Sequence, residues 1–191
     1  MDLKTYSKLM TPLISDQGSL HDNMLHMTAG IIGETGEVTD IFKKVWIQKK
    51  EIDKGHLLEE LGDVLFYIVG LARIALHGLD ELRLDPQYPM RNSQKEWVAH
   101  CITMSKKVGR LSELVDVFWW SSHPFYYEEL IYLLNAIIAD ITTLAITFDI
   151  SPEDILEANY RKLSVRYPGL VFDHEKANNR DVEAEKEAIR Q

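Results

Sequence analysis

Two acidic pairs are the residues best placed to do chemistry: Glu34-x-x-Glu37 in GIIGETGEVTDIFKK and Glu60-x-x-Asp63 in HLLEELGDVLFYIVGLA. Both stretches have the apolar spacing of amphipathic helices. Residues three apart on a helix share a face, with Cβ atoms roughly 5–6 Å apart. If the two helices pack antiparallel, four carboxylates converge on one patch. Such a patch repels itself at neutral pH unless a cation sits in it. Oxygen-only ligands suit a hard ion, and Mg²⁺ fits best.

The bland reading is a solvated helix face, which either pair alone would support. Context argues otherwise. Ile31, Ile32 and Val38 flank one pair, and Leu61, Val64, Leu65 and Phe66 flank the other. A carboxylate beside a core face is costly unless paired or liganded. Few basic residues lie between Glu59 and Ile68 to neutralise the second pair. A di-iron bundle would need Glu-x-x-His on two helices, and the sequence has none. Nor do the scattered histidines have the spacing of a zinc site.

The elements that must position these acids are all helical, because glycine and proline fall between periodic segments. We expect a short helix over Leu3–Leu13, broken at SDQG, and a long one over His21–Gln48 with Leu25, Ile32, Val38, Ile41 and Val45 inward. Gly30, Gly33 and Gly36 lie within it. Each costs ~1 kcal/mol against alanine, so a close neighbour or ligand is expected beside them. KKEIDKG is a turn pivoting at Gly55, followed by a helix over His56–His77 carrying Leu57, Leu61, Val64, Leu65, Ile68 and Leu71. Ser93 with Glu96 has the spacing of a capping box and opens a helix toward Trp120. Another runs from Phe125 to Phe148. Ser151-Pro152-Glu153-Asp154 starts the last clear helix, ending near Tyr167-Pro168-Gly169.

The expected organisation is one domain over 1–172, with a charged tail over 173–191, frayed or peripheral. An internal similarity sets Gly33, Glu37, Asp40 and Phe42 against Gly109, Glu113, Asp116 and Phe118, and, after a gap, Leu71-Ala72 against Leu144-Ala145. It suggests a degenerate duplication without the acids, with Arg110 at the place of Glu34. Chance alignment of two amphipathic helices is the competing reading.

Composition narrows the class. At 191 residues, 46% hydrophobic and 27% charged, the chain is an ordinary globular one. A net charge of −9 argues against nucleic acid as a partner. The lone Cys101 sits in the apolar run WVAHCITM, reads as a buried structural thiol, and suits a reducing compartment. The start MDLKTYSKLM has no signal-peptide pattern. Val64–Leu76 is too short to span a bilayer, and Ile131–Ile146 is interrupted by Asn135 and Asp140. The expectation is a soluble cytoplasmic protein with no membrane partner.

Three runs together, LHMTAGIIGETGEVTDIFKKV, LLEELGDVLFYIVGLARIA and EDILEANYRKLSVRYPGLVF, resemble the MazG-like all-α nucleoside triphosphate pyrophosphohydrolase family. The resemblance covers about residues 20–79 and 150–172, and the segment 80–149 between them departs from it. It implies an all-α helical bundle that hydrolyses the α–β bond of a nucleoside triphosphate, a dNTP being expected, to the monophosphate and pyrophosphate. It also implies Mg²⁺, with Mn²⁺ as a possible substitute, on Glu34, Glu37, Glu60 and Asp63, with Glu34 orienting the attacking water. Lys43, Lys44, Lys162 and Arg166 are the candidate phosphate cations, and Asn159 could bind sugar or phosphate. Trp46, Tyr67, His26 and Asn23 are candidates for the base pocket, each with ordinary packing as its competing role. Trp97, Trp119 and Trp120 are read as core or interface. A homodimer is expected. The rival readings are a non-catalytic nucleotide sensor or helical interaction module, and an alarmone as the substrate.

Overall fold

The structure is a computed structural model that describes residues 1–190 except 77–79, 86, 87, 92 and 122–126, and the side chains of 118–121 are likewise left aside. The described residues contain helices and no strands: α1 (Leu3–Met10), a 3-10 turn (Thr11–Leu13), α2 (Leu20–Gln48), α3 (Lys54–Ala75), α4 (Gln94–Ser121), α5 (Tyr127–Thr147), α6 (Pro152–Arg166), α7 (His174–Asn178) and α8 (Val182–Arg190). The expected all-α bundle is the observed one.

Local chemistry sets the helix ends. Ser19 accepts from the Asp22 amide to open α2, and Asp53 accepts from Gly55 and His56 to open α3. Lys49, at φ 57°, closes α2 in the left-handed region. It is therefore Lys49 and not Gly55 that turns the chain, since Gly55 already belongs to α3. Ser151 and Asp154 form a reciprocal capping box with Pro152 at the first position of α6.

The hairpin α2–α3 is the centre of the fold. α2 lies between α3 and α4, α5 packs on α3 and α4, and α6 lies on the other flank of α3. Every apolar position predicted for α3 is fully buried. In α2 the buried stripe is Met24, Met27, Ile31, Val38, Ile41, Phe42 and Val45, while Leu25 and Ile32 are 38% and 49% exposed. The expected core for those two was wrong. A helix shared between two neighbours turns a broad face inward, and the stripe through Leu25 and Ile32 lies beyond its edge.

Trp97 is core, meeting Phe148 at 4.8 Å and Phe42 at 6.0 Å between ring centroids. Trp119 and Trp120 fall outside the described side chains. Cys101 is buried, and burial pushes its thiol up to about 12, as suits an inert core residue. By length and a mean hydropathy of 1.8, α5 could cross a bilayer. Here it is a packed helix of the bundle, with Leu130, Leu134, Ile137, Ile138 and Ile141 fully covered.

The hairpin α4–α5 repeats the burial of α2–α3. Met24, Thr28, Ile31, Thr35, Val38 and Ile41 are spaced like Trp97, Cys101, Met104, Val108, Leu111 and Leu114, and all twelve are buried. In the same unbroken register Leu57, Leu61, Val64, Leu65 and Ile68 fall on Leu130, Leu134, Ile137, Ile138 and Ile141, again all buried. The register is three residues from the one that sets Gly33 against Gly109, and it needs no gap. It places Lys107 at Glu34, Arg110 at Glu37, Leu133 at Glu60 and Ala136 at Asp63. The Lys107 ammonium donates to Asp140 at 2.6 Å and to the Ala136 carbonyl at 3.3 Å.

The tail is folded. α8 packs on α6 and α3 through Ala188 and Ile189, with Glu185 buried beneath it. Its high charge suggested fraying, but the charges face one another across the α6–α8 seam.

Candidate active site

The acids lie where α3 passes α2 on one side and α6 on the other. Glu34 of α2 and Glu60 and Asp63 of α3 each bring a carboxylate oxygen within 4.8 Å of the others. Glu37, one turn past Glu34, is exposed and stands outside that group. Three of the four predicted ligands are thus gathered before any ion is present.

Their electrostatics are those of a cation site. Glu60 is pushed up to about 8, first by burial and then by the charges of Asp63, Glu34 and Glu59. Burial and Asp63 raise Glu34 as well. Burial and mutual repulsion together disfavour full ionisation of the three carboxylates, with Lys162 on Asp63 and His56 beside Glu60 as the neighbouring cationic groups. A hard divalent ion supplies further counter-charge, so the donor set fits a metal such as Mg²⁺.

Asp63 is fixed from α6. Asn159 donates to Asp63 Oδ1 at 2.7 Å, and the Lys162 ammonium lies on both Asp63 oxygens. Lys162 is 1% exposed and also faces Glu59 at 3.6 Å. The Asn159 carbonyl accepts from the Tyr6 hydroxyl at 2.6 Å, which fixes the amide so that its NH₂ faces Asp63. Two glycines make this approach possible. A Cβ on Gly62 would come within 2.9 Å of Asn159 Cβ, and one on Gly30 would strike the Tyr67 ring at 2.3 Å. Gly33 and Gly36 face open space, so the close neighbour expected for the glycine series exists only at Gly30.

Glu34 and Asp63 open into a cavity of about 210 Å³ whose walls include His26, Phe66, Tyr67, Arg166, Phe172 and Arg180. His26 lies edge-on to Tyr67 with centroids 6.2 Å apart, and desolvation lowers its pKa. Its lining combines two acids, two guanidinium groups and aromatic rings, which offer oxygen ligands to a cation, forked donors to an anion and stacking surface to a flat ring.

The remaining candidates lie elsewhere. Lys43 and Lys44 are exposed and both pair with Asp40. Trp46 is 36% exposed and does not border the cavity. Asn23 caps the α1–α2 connection, donating to Asp16 and accepting from the Gln17 amide. Local helix spacing suggested these residues, but the acids face α3 and α6 while the two lysines point along α2 toward solvent. Tyr6, Glu59, Arg180 and Glu185 were missed. Glu59 stands beside Glu60 in α3 and was passed over, while Tyr6, Arg180 and Glu185 reach the site from distant segments, two of them hinted at only by the charge of the tail.

Residues 22–83 match the model of the MazG nucleotide pyrophosphohydrolase domain. The matched stretch holds nearly all of α2, all of α3 and all four acids of the two pairs, so the likeness to that domain lies in the α2–α3 hairpin. That domain is described by an activity on acid anhydrides of nucleotides, and the acid group here can bind a metal ion. No curated protein and no solved structure matches the chain.

Proposed function

We propose that the protein hydrolyses a nucleoside triphosphate between the α- and β-phosphates, releasing the monophosphate and pyrophosphate with the help of Mg²⁺. The observation that carries this reading is one cavity lined together by Glu34, Asp63, Arg166 and Tyr67.

Glu34, Glu60 and Asp63 would hold the metal, with Glu37 one turn away to join them. The bound ion supplies charge neutralisation at the phosphates and acidifies water. Glu34 borders both the acid group and the cavity, so its free carboxylate oxygen is placed to accept a proton from the attacking water. The water oxygen bonds to the α-phosphorus as the bridging P–O bond to the β-phosphate breaks, and the electron pair leaves with pyrophosphate. Arg166 offers its fork to phosphate oxygens as charge builds on the leaving group. Lys162, buried behind the cavity lining, holds Asp63 in place and contributes its positive charge through that carboxylate.

Tyr67 and His26 form the wall against which a base or sugar would lie. Phe66 extends that wall as an apolar surface, where an extra sugar hydroxyl would lose its water without a partner. This supports a deoxynucleoside triphosphate as substrate. A homodimer remains part of the proposal on the strength of the family resemblance.

The deciding experiment is a panel of NTPs and dNTPs with Mg²⁺, assayed for pyrophosphate and monophosphate. Pyrophosphate as the first product is expected. Orthophosphate as the first product contradicts the mechanism, and no release from any nucleotide favours a nucleotide sensor instead.

A further inference from the structure

The C-terminal arm places a charge cluster against the cavity that the acid motifs do not account for. Glu185 of α8 has a side chain only 1% exposed. It accepts from Arg166 through two bonds, Nε at 2.8 Å and Nη2 at 2.7 Å. Arg180, between α7 and α8, donates to the same carboxylate from Nε at 3.2 Å and Nη2 at 2.7 Å. One buried carboxylate thus holds two guanidiniums side by side at the cavity wall.

The two arginines differ in what else they face. Arg166 is 15% exposed and is gripped along one edge by Glu185. Arg180 is gripped through the same edge and lines the same cavity as Arg166, but it is the more open of the two, 39% exposed, and has Glu59 of α3 at 3.9 Å. Arg166 alone would neutralise Glu185, and Arg180 divides its charge between Glu185, the more distant Glu59 and the open cavity. A second guanidinium, held by its neighbour yet open to a cavity, is arranged to meet an anion. Its planar fork matches phosphate oxygens, and the shared carboxylate has already fixed its orientation.

We propose that Arg180 is a phosphate-binding residue of this site, delivered by the C-terminal arm and positioned by Glu185 beside Arg166. The proposal rests on the pyrophosphohydrolase reading for the identity of the anion, the β- and γ-phosphates of the nucleotide. The arm is then a functional wall of the chamber and not an appendage.

The test uses the full chain and its Arg180→Ala and Arg180→Lys variants, with melting temperature as a control for folding. Binding of inorganic pyrophosphate in the presence of Mg²⁺ is measured by calorimetry, and KM and kcat are measured for the nucleotide the wild type hydrolyses best. The expected result for Arg180→Ala is about a tenfold or greater loss of pyrophosphate affinity and a matching rise in KM. Arg180→Lys, which keeps the charge and loses the fork, should fall between the two. An Arg180→Lys variant that melts like the wild type and matches it on both readouts, beside an Arg180→Ala variant that does the same, overturns the proposal. If Arg180→Ala does not fold, the lysine variant alone decides: undiminished pyrophosphate affinity overturns the proposal, and weakened affinity with normal melting supports it. A wild type that binds pyrophosphate through Arg180 but hydrolyses no nucleotide leaves this proposal standing and removes the reading beneath it.

Discussion

Lys162 and Asp63 form a buried ion pair at the edge of the acid group, with the ammonium on both carboxylate oxygens and only 1% of the lysine side chain exposed. Without a divalent ion the lysine is the nearest counter-charge Asp63 has. Lysine and metal therefore compete for the same oxygens. Replacing Lys162 with methionine is expected to tighten Mg²⁺ binding, because a cation next to the site is removed, and to lower turnover at least tenfold as phosphate charge loses a partner. Mg²⁺ titration by calorimetry together with steady-state kinetics checks both halves. A parallel loss of metal affinity and turnover would contradict the competition.

Glu60→Gln removes the carboxylate at the centre of the group. Turnover is expected to fall by a factor of about 100 or more, while the metal-free protein melts no lower than wild type, because a repulsion has gone. The Mg²⁺-induced rise in melting temperature should disappear with it. Glu37→Gln is the informative companion. If Glu37 swings in to join the ion, its loss also abolishes turnover; if it stays as exposed as it is in this structure, activity survives in part.

Stability of the metal-free protein should depend on pH in an unusual direction. Glu60 has its folded-state pKa raised from 4.5 to about 8. Over that window the folded protein binds a proton that the unfolded chain does not, so stability falls as pH rises through it. Melting curves in EDTA between pH 5 and 8 are expected to show a declining melting temperature. Saturating Mg²⁺ should flatten the decline, since ionised carboxylates are then stabilised by the ion.

Tyr6→Phe deletes one hydroxyl, 2.6 Å from the Asn159 carbonyl, and nothing at the cavity itself. The expected stability cost is ~1–3 kcal/mol because Asn159 is left with a buried unpaired oxygen. The amide keeps its bond to Asp63 but loses its second anchor, so Asp63 is held less firmly. A several-fold drop in kcat with KM little changed would mark Tyr6 as a positioning residue. A change in stability alone would confine it to the core.

Leu65→Ala tests the scaffold. Leu65 is completely buried in the centre of α3, and a loss of ~2–5 kcal/mol is expected by chemical denaturation. Nucleotide hydrolysis below the new melting temperature should continue.

Much of this site could be read from local spacing, and what could not has a common cause. Glu34, Glu60 and Asp63 stood out because acids inside apolar helices are costly, and Asn159, Lys162 and Arg166 because they share one helix in a recognisable run. The burial of α3 followed from its period. Leu25 and Ile32 misled because a helix flanked on two sides does not show from its own sequence which neighbour sets the centre of its buried face. Lys43 and Lys44 were plausible by distance along the helix, yet Asp40 beside them takes both charges. Tyr6, Arg180 and Glu185 are joined to the site by contacts between distant segments, and no short window of sequence holds such a pair. Burial along the two hairpins recurs at an offset three positions from the one that matched residues suggest, a recurrence that a duplication and the common period of two amphipathic helix pairs both produce.

That repeat has a consequence for how the molecule responds to its ionic surroundings. On the proposed reading the first hairpin would take part of its counter-charge from a divalent ion in solution, in addition to Lys162 on Asp63. In the second hairpin a lysine stands at the place of the first glutamate and pairs with Asp140, so its compensating charge is permanently tethered to the chain. Chelation should therefore loosen the protein unevenly: amides around Glu34 and Glu60 would exchange faster with solvent hydrogen, while those around Lys107 and Asp140 keep their protection. A fold assembled from two similar halves would then have one half that senses the ion and one that serves as its fixed internal reference.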